Sequence, residues 1–267
     1  MSSLRAAIGY SERTERKPFF YANAHEKDFV PLKPVEVEIC DARGAGCSLD
    51  KEGFTLVEHV SSVNDLTDLD TVCDVHTGEI GDLIKAQTGC DQVVMTPNGI
   101  LRFSEKTGEN EAHDNSHPAR FVHVDMSIED AAMFRERLAP EGKEIVRSAQ
   151  YNIWRVLSSP PQDVPLALCA WTSMELSDLI DCSAIFDPPG GAPEWRFGNY
   201  LLAHNPDHRW FYYSDMHVGE ALIFKTSDSD ESCARMMPHG AFDNPLAGPA
   251  SPPRISLEMR GTAYWFA

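Results

Sequence analysis

The feature of the sequence that most constrains the fold is a series of short, β-prone segments in the C-terminal half. From residue 150 onward these segments are YNIWRVL, PLALCAW, NYLLAH, RWFYYS, EALIFKT and RISLEMRGTAYWFA. Clusters of proline and glycine separate them, at residues 158–161, 188–193 and 244–253. Many short strands without a regular alternation of helices predict a mainly β protein with flanking helices, built as a double-stranded β-helix of the jelly-roll or cupin-like kind.

The N-terminal half has fewer patterned segments. Residues 1 to 30 are polar with scattered aromatic side chains, which predicts an irregular N-terminal arm. Other patterns predict a strand over residues 35–39, a helix over 75–89, a short strand over 92–96, a polar loop over 104–119, a strand over 120–126 and a helix over 128–138 that Ser127 can cap. No segment has the character of a linker, so residues 1 to 267 are predicted to form a single domain.

The composition argues against several classes of protein. The formal net charge is -18, whereas a protein that binds nucleic acid needs a basic surface. No apolar run is long enough to span a bilayer, and the first twenty residues lack the apolar core of a signal peptide. The sequence therefore predicts a cytoplasmic protein with no nucleic-acid partner and no membrane association, and it leaves the oligomeric state open.

A candidate metal site begins with the segment RFVHVDM at residues 120–126. Side chains alternate between the two faces of a strand, so His123 and Asp125 share one face while Val122 and Val124 share the other. An imidazole and a carboxylate on the same face supply two of the three ligands of a facial triad, which leaves further metal positions open. The pair therefore indicates a mononuclear non-haem iron site.

The histidine and aspartate need a third ligand, and the motif alone is weak. With 10 histidines and 41 acidic residues in 267, chance gives about 1.5 matches to His-x-Asp/Glu. The later histidines that could complete the site are His204, His208, His217 and His239. The spacing of the residues does not choose among them.

A second candidate feature is the polar face of the last β-prone segment. Arg254, Ser256, Glu258 and Arg260 alternate there with three apolar residues. Arginine can clamp a carboxylate with two parallel hydrogen bonds, and a hydroxyl two residues further on can add another. The pattern fits a strand that lines a ligand-holding barrel as well as it fits a solvent-exposed sheet face with alternating charges.

Several blocks of the sequence resemble one family of enzymes. The blocks are ICDARG, LDKEGFTLVEH, ARFVHVDMS, YNIWRVLSSPPQDVPLALCAW, PDHRWFYYSDMHVGEALIFKTSDS, PHGAF and PPRISLEMR. Together they are similar to the AsaB-like hydroxylase/desaturase family, which includes CmcJ-like and gibberellin-desaturase-like proteins. The resemblance runs from about Val35 to Trp265. Members of this family are iron(II)/2-oxoglutarate-dependent oxygenases of natural-product pathways.

The resemblance implies a complete site. It places the metal ligands at His123, Asp125 and His239, with the last in the block PHGAF. It implies iron(II) as the metal, 2-oxoglutarate as cosubstrate, O2 as oxidant and ascorbate as an in vitro reductant. The substrate class it implies is a small molecule, either a specialised metabolite or an amino-acid derivative. Hydrogen abstraction from that substrate would end in hydroxylation, desaturation or ring closure.

The resemblance also implies which residues bind the cosubstrate. Arg254 and Ser256 match an Arg-x-Ser motif that grips the distal carboxylate of 2-oxoglutarate, and Arg260 is a rival for the arginine. Asn152 is placed near the cofactor by the block YNIWRV. Two alternatives remain at this point: a different non-haem metal enzyme on a β-barrel, which would not need Arg254, and a non-catalytic barrel that binds a small molecule. The polar loop at residues 104–119 is a candidate lid.

Overall fold

A computed structural model describes residues 2–109 and 113–267 of the chain. Within them the chain forms fourteen strands and a few short helices. The strands are β1 Ser3–Ser11, β2 Phe19–Tyr21, β3 Leu32–Asp41, β4 Phe54–Glu58, β5 Gln92–Phe103, β6 His123–Val124, β7 Ile145–Val156, β8 Leu166–Cys169, β9 Leu179–Phe186, β10 Trp195–Leu202, β11 Trp210–Tyr212, β12 Glu220–Asp228, β13 His239–Ala241 and β14 Ile255–Phe266. The α-helices are α1 Leu69–Thr71, α2 Thr77–Thr88 and α3 Ile128–Arg137.

The strands form two sheets that pack face to face. The larger sheet has the order β1-β3-β11-β8-β13-β6-β10-β9-β2, and the smaller one has the order β4-β12-β7-β14-β5. Trp154, Leu222 and Phe224 of the smaller sheet form one buried cluster with Leu168 and Phe211 of the larger sheet. The prediction of a mainly β protein with flanking helices is confirmed.

The outer face of the smaller sheet is covered by α2. Ile80 and Ile84 of that helix pack in one buried cluster with Ile153 of β7 and with Leu257 and Met259 of β14. Because side chains alternate along a strand, the other face of β14 must point into the space between the sheets. Among the described helices, none has the length and apolar character needed to cross a membrane.

The prediction of an irregular arm over residues 1 to 30 is wrong for its first part. Ser3–Ser11 is a nine-residue strand that pairs antiparallel with β3 over its whole length. Leu4, Ala6, Ile8 and Tyr10 are buried on one face. The sequence does not show this alternation of buried and exposed residues clearly, because several of the positions are occupied by small residues. Burial against the rest of the larger sheet, more than strand propensity, accounts for its position.

Most other predicted elements are present with shifted ends. The helix α3 begins where expected, and its cap Ser127 accepts a hydrogen bond from the Asp130 N–H at 3.1 Å. The strand predicted over residues 120–126 is only two residues long, at His123–Val124. The candidate lid at residues 104–119 lies partly outside the described residues, and its described part includes a short 3-10 helix at Glu105–Thr107.

Gly9 of β1 allows this strand to pack closely against the segment that leads into β6. Its carbonyl accepts a hydrogen bond from the Val122 N–H at 2.8 Å, one residue before His123. A Cβ at this position would overlap the carbonyl oxygen of Arg120. The N-terminal strand and the segment leading into β6 therefore approach so closely that only glycine fits.

We expect Gly9→Ala to lower the free energy of unfolding by about 1–3 kcal/mol, because the methyl group must displace backbone in a packed region. Urea unfolding measures this change. The control is Gly78→Ala on α2, where an added Cβ meets nothing within 4 Å and alanine is the better helix former by up to about 1 kcal/mol. Equal stability of the two variants would contradict the close approach.

Candidate metal centre

Three ligand atoms meet where β13 and β6 pair. His239 lies directly opposite His123 in this antiparallel pair, and Asp125 follows His123 on the same face. The Nε2 atom of His123 is 3.4 Å from Oδ1 of Asp125, and the Nε2 atom of His239 is 3.5 Å from the same oxygen. Ligand atoms of the three residues all lie within 4.8 Å of one another. The structure thus brings together the three predicted ligands.

Backbone carbonyls set the orientation of both imidazole rings. The Nδ1 atom of His123 is 3.2 Å from the Phe121 carbonyl oxygen, and Nδ1 of His239 is 3.2 Å from the Met237 carbonyl oxygen. Each Nδ1–H can donate to its carbonyl, which leaves the lone pair of Nε2 facing Asp125. Second partners of this kind fix the tautomer of a metal-binding histidine.

The protonation states also suit a metal. Burial and the neighbouring His123 lower the pKa of His239 to about 4, so this ring is neutral at ordinary pH. Burial acts to raise the pKa of Asp125, but the Arg260 guanidinium and the two histidines outweigh it and hold the pKa well below its usual value. The site therefore offers one carboxylate and a neutral imidazole without having to release protons from them.

The second oxygen of Asp125 is held by other residues. Its Oδ2 atom accepts a hydrogen bond from Nδ2 of Asn152 at 2.7 Å and lies 3.7 Å from the Arg260 guanidinium. Glu258 in turn accepts two hydrogen bonds from Arg260, at 2.9 and 2.6 Å. The two oxygens of the Asp125 carboxylate therefore have different surroundings. Oδ1 faces the histidines, and Oδ2 is held by residues of the smaller sheet. The resemblance assigned Asn152 to the cofactor, and in the structure its amide donates to the carboxylate of Asp125.

The polar face of β14 is barrel interior. Arg254, Ser256 and Glu258 are 1%, 0% and 6% exposed, which excludes a solvent-facing sheet surface. The residue before the strand, Arg254, donates from Nη1 to the Val164 carbonyl at 2.8 Å, and its guanidinium lies 5.7 Å from the centroid of the Trp154 ring.

Two polar atoms on this face have no partner among the described residues: Nε of Arg254 and Oγ of Ser256. Arg254 also forms no ion pair within that part of the chain. Burial and the charges of Arg102 and Arg120 lower its pKa to about 9. A buried cation beside a free hydroxyl is costly to the fold unless an anion joins it. The two residues fit a carboxylate group.

A cleft opens onto the ligands His123 and Asp125. Its cavity volume is about 230 Å³. The lining is aromatic on one side and basic on another: Phe20, Tyr21, Phe121, Phe186 and Phe197, with Arg102, Arg120 and Arg260. Arg120 and Arg260 are paired with carboxylates, so Arg102 supplies most of the local positive charge in this cleft of a protein whose net charge is -18.

The other candidate histidines take no part in the site. His208 Nε2 lies 3.1 Å from Asp178, and its Nδ1 lies 3.1 Å from the Tyr10 hydroxyl. His217 is exposed and lies beside Glu220. His204 packs edge-on against the Tyr10 ring. Each of these contacts is structural.

Two residues of the cleft were missed in the sequence. Arg102 pairs with Ser256 across the β5–β14 ladder and so shares its face. Asn199 of β10 lines the cleft beside Asp125. A strand pattern of polar residues in apolar surroundings was the available signal for both, but the pairing of strands was needed to bring them to the site.

Comparison with known proteins agrees with this geometry. A family model described as an oxidoreductase/YMDC permease-like domain matches residues 8–264. The chain is 30% identical over 253 residues to the hydroxylase/desaturase efuI of Hormonema carpetanum, covering 87% of this chain and 84% of that protein. It is 27% identical over 242 residues to the Fe(II)/2-oxoglutarate-dependent dioxygenase nvfI of Aspergillus novofumigatus, covering 85% and 82%. The chain belongs to this hydroxylase/desaturase family of oxidoreductases.

A solved structure confirms the fold. The iron and alpha-ketoglutarate-dependent endoperoxidase NvfI superposes with a TM-score of 0.82 over 99% of both chains at 22% identity. The predicted jelly roll is therefore confirmed.

We expect Asn152→Leu to weaken binding of Fe(II) or Mn(II) by about 10–100-fold, because Oδ2 of Asp125 loses the donor that orients the carboxylate. Metal titration of the metal-free protein measures the affinity. The control is Gln150→Leu, two residues earlier on β7, which loses a 2.7 Å hydrogen bond from Ser227 but none to Asp125. The same metal affinity in both variants would exclude Asn152 as a positioning residue.

A second expectation concerns the pH dependence of stability without metal. The pKa of His239 is about 4 in the folded protein, against 6.5 for the unperturbed group. Between these values the unfolded chain binds more protons, so folded-state stability falls as the pH falls from 6.5 to 4. His239→Gln should flatten the dependence of the unfolding temperature on pH across this window, measured in the presence of chelator. Parallel curves for the two proteins would refute the buried neutral imidazole.

Proposed function

We propose that the protein is an iron(II)- and 2-oxoglutarate-dependent oxygenase that removes hydrogen from a small-molecule substrate. The outcome is hydroxylation, desaturation or ring closure. The observation that carries the proposal is the convergence of Nε2 of His123, Nε2 of His239 and Oδ1 of Asp125, two of which belong to residues that line a cleft with basic side chains. Relatives in the family are named as dioxygenases of this dependence.

The residues at the site fit the cofactors. His123, Asp125 and His239 would hold iron(II), and this ligand set leaves positions for cosubstrate and oxygen. When bound, iron(II) would supply, together with 2-oxoglutarate and O2, the oxidising power for hydrogen abstraction. 2-Oxoglutarate would be converted to succinate and CO2. The protein itself binds and orients: Asn152 and Arg260 fix the carboxylate ligand, and Phe121 and Met237 carbonyls fix the two rings.

Arg254 suits the distal carboxylate of 2-oxoglutarate better than Arg260 does. Arg260 is already neutralised, since it donates two hydrogen bonds to Glu258 and lies beside Asp125. Arg254 is buried, lacks an anionic partner in the described chain and lies two residues before the unpartnered hydroxyl of Ser256. Arg102, which pairs across the ladder with Ser256, adds positive charge to the same place.

The aromatic side of the cleft keeps water from the metal. The Phe20 and Phe121 rings pack at a tilt with centroids 4.8 Å apart, and the Phe121 ring centroid lies 5.5 Å from that of His123. An apolar wall beside the ligands lowers the local dielectric and limits unproductive side reactions.

A single oxygenase domain over residues 1 to 267, a cytoplasmic location and the absence of a nucleic-acid partner remain predictions from the sequence, and the oligomeric state is open.

The function is tested by incubating the protein with Fe(II), ascorbate, 2-oxoglutarate and a panel of candidate substrates. Succinate and product mass are read together. We expect succinate formation to require both 2-oxoglutarate and iron and to be lost in His123→Ala along with tight iron binding. Retained iron binding and turnover in that variant would refute the ligand set. Metal binding without any consumption of 2-oxoglutarate would favour a different metal enzyme.

We expect Arg254→Gln to raise the Kd of 2-oxoglutarate by about 10–100-fold, because it removes charge-assisted hydrogen bonds to a buried carboxylate. The metal-loaded protein is titrated anaerobically, and the absorption band of the metal–2-oxoglutarate complex reports binding. Metal affinity itself should change little. Arg260→Gln should have the opposite effect: it should weaken metal binding and leave the Kd of 2-oxoglutarate little changed, since Arg260 contacts Asp125.

The matched control is Arg120→Gln. Arg120 lines the same cleft, but Glu105 and Asp243 already pair with it at 2.8 and 2.9 Å. Its replacement should leave the Kd of 2-oxoglutarate close to that of the unmodified protein. If Arg260→Gln alone weakens 2-oxoglutarate binding while Arg254→Gln does not, Arg260 is the clamp.

A further inference from the structure

We propose that Asn199 and the aromatic side chains next to it form the substrate subsite, which takes a flat, uncharged ring system bearing a hydroxyl or carbonyl group close to the metal. This inference rests on the proposed function and specifies the substrate class of the same site. It depends on the unpartnered amide of Asn199, on the sheet register that places this residue beside Asp125, and on the stacked rings of β9 and β10.

Sheet register places Asn199 next to a metal ligand. In the pair of β10 with β6, Tyr200 lies opposite Val124 and Leu201 lies opposite His123. Continuing this antiparallel register by one residue puts Asn199 beside Asp125, and paired residues project from the same face of a sheet. Asn199 and Asp125 both line the cleft. The amide therefore lies where the reacting part of a substrate must come.

The amide of Asn199 is buried and unpartnered. The residue is 1% exposed, yet neither Nδ2 nor Oδ1 has a hydrogen-bond partner among the described residues. Buried polar groups in folded proteins are almost always paired, so an asparagine with both atoms free serves something other than the fold. Asn152 shows the contrast, because its equally buried amide is satisfied by Asp125.

The two unpartnered atoms of the Asn199 amide indicate which chemical groups of a substrate could bind to it. An amide N–H donates to a carbonyl or hydroxyl oxygen, and the amide oxygen accepts from a hydroxyl. A carboxylate is less suitable. Two of the three arginines that line the cleft, Arg260 and Arg120, are already paired with carboxylates, and the third, Arg102, donates to the backbone carbonyls of Asn115 and His117. The subsite therefore selects a neutral oxygen function.

A wall of aromatic rings continues from Asn199 toward the surface. Phe197, two residues earlier on the same face of β10, lies opposite the small residue Ala184. The Phe186 ring stacks on Phe197 with centroids 5.3 Å apart, and on Trp195 at 4.2 Å and 13°. Trp195 is 49% exposed, so the row of stacked rings extends from Phe197 in the cleft to the protein surface. Flat walls of this kind favour flat ring systems by offset stacking.

The probes are two matched pairs of ring compounds: 2-naphthol with naphthalene, and 2-tetralone with tetralin. Each is titrated anaerobically into protein loaded with Fe(II) and 2-oxoglutarate, with equilibrium dialysis and the visible band of the metal complex as readouts. For each pair the preference is the Kd of the hydrocarbon divided by the Kd of the oxygenated compound. Asn199→Leu, which is close in size, should lower this preference about tenfold, the effect of one lost hydrogen bond.

Phe197→Leu is the matched control. It removes part of the stacking wall, so it should weaken the hydrocarbon and the oxygenated compound of each pair to the same extent and leave the preference unchanged. Asn199→Leu should unfold at no lower temperature than the unmodified protein, because it replaces an unpaired buried amide. If the leucine variant does not fold, Asn199→Ala carries the same comparison.

The outcomes separate this inference from the proposed function. Affinities for Fe(II) and for 2-oxoglutarate are measured first, and an unmodified protein that binds neither defeats the proposed function. If both bind and the preference is the same with and without Asn199, the subsite assignment is wrong and the amide holds solvent. If no ring compound binds the loaded protein, the substrate class is wrong. A preference that Asn199→Leu abolishes and Phe197→Leu retains establishes the subsite.

Discussion

The carboxylate of Asp125 is the interaction on which the rest of the site depends. Its Oδ1 atom faces two histidine nitrogens, and its Oδ2 atom is held by Asn152 and Arg260. Because the histidines belong to the larger sheet and the other two residues to the smaller one, this one side chain joins both layers of the jelly roll at the metal. A carboxylate with one oxygen fixed can present the other in a defined direction, which is what a metal ligand requires.

The larger sheet places the ligands, and the smaller sheet supplies charge. β6 is only two residues long, yet it pairs with β13 on one side and β10 on the other, and thereby lines up His239, His123 and Leu201. β14 of the smaller sheet turns its apolar face to α2 and its polar face to the interior. The two sheets therefore contribute different parts of the candidate site: ligand atoms from the larger sheet and buried arginines from the smaller one.

Buried polar atoms without a partner occur at several places among the described residues, including Ser11, His76, Arg155 and Arg235, and three further side chains belong to the proposed binding sites. The Arg254 guanidinium, the Ser256 hydroxyl and the Asn199 amide are buried with polar atoms that no described residue satisfies. Burial of such groups costs stability, and packing elsewhere in the protein offsets it. The proposed ligands would satisfy these three side chains: a carboxylate at Arg254 and Ser256, and a neutral oxygen function at Asn199.

The sequence by itself determined what depends on local periodicity. Alternation along a strand was enough to put His123 with Asp125, and Arg254 with Ser256, on common faces, and the run of short strands was enough to predict a mainly β fold. Family blocks added His239. Tertiary structure decided what depends on neighbours in the folded chain: that Asn152 holds Asp125, that Arg260 is already paired, that Asn199 lines the same cleft as Asp125, and that Ser3–Ser11 is a strand. Apart from the pair of Arg260 with Glu258, these contacts join residues far apart in the chain, and strand order, which no local pattern encodes, brings them together.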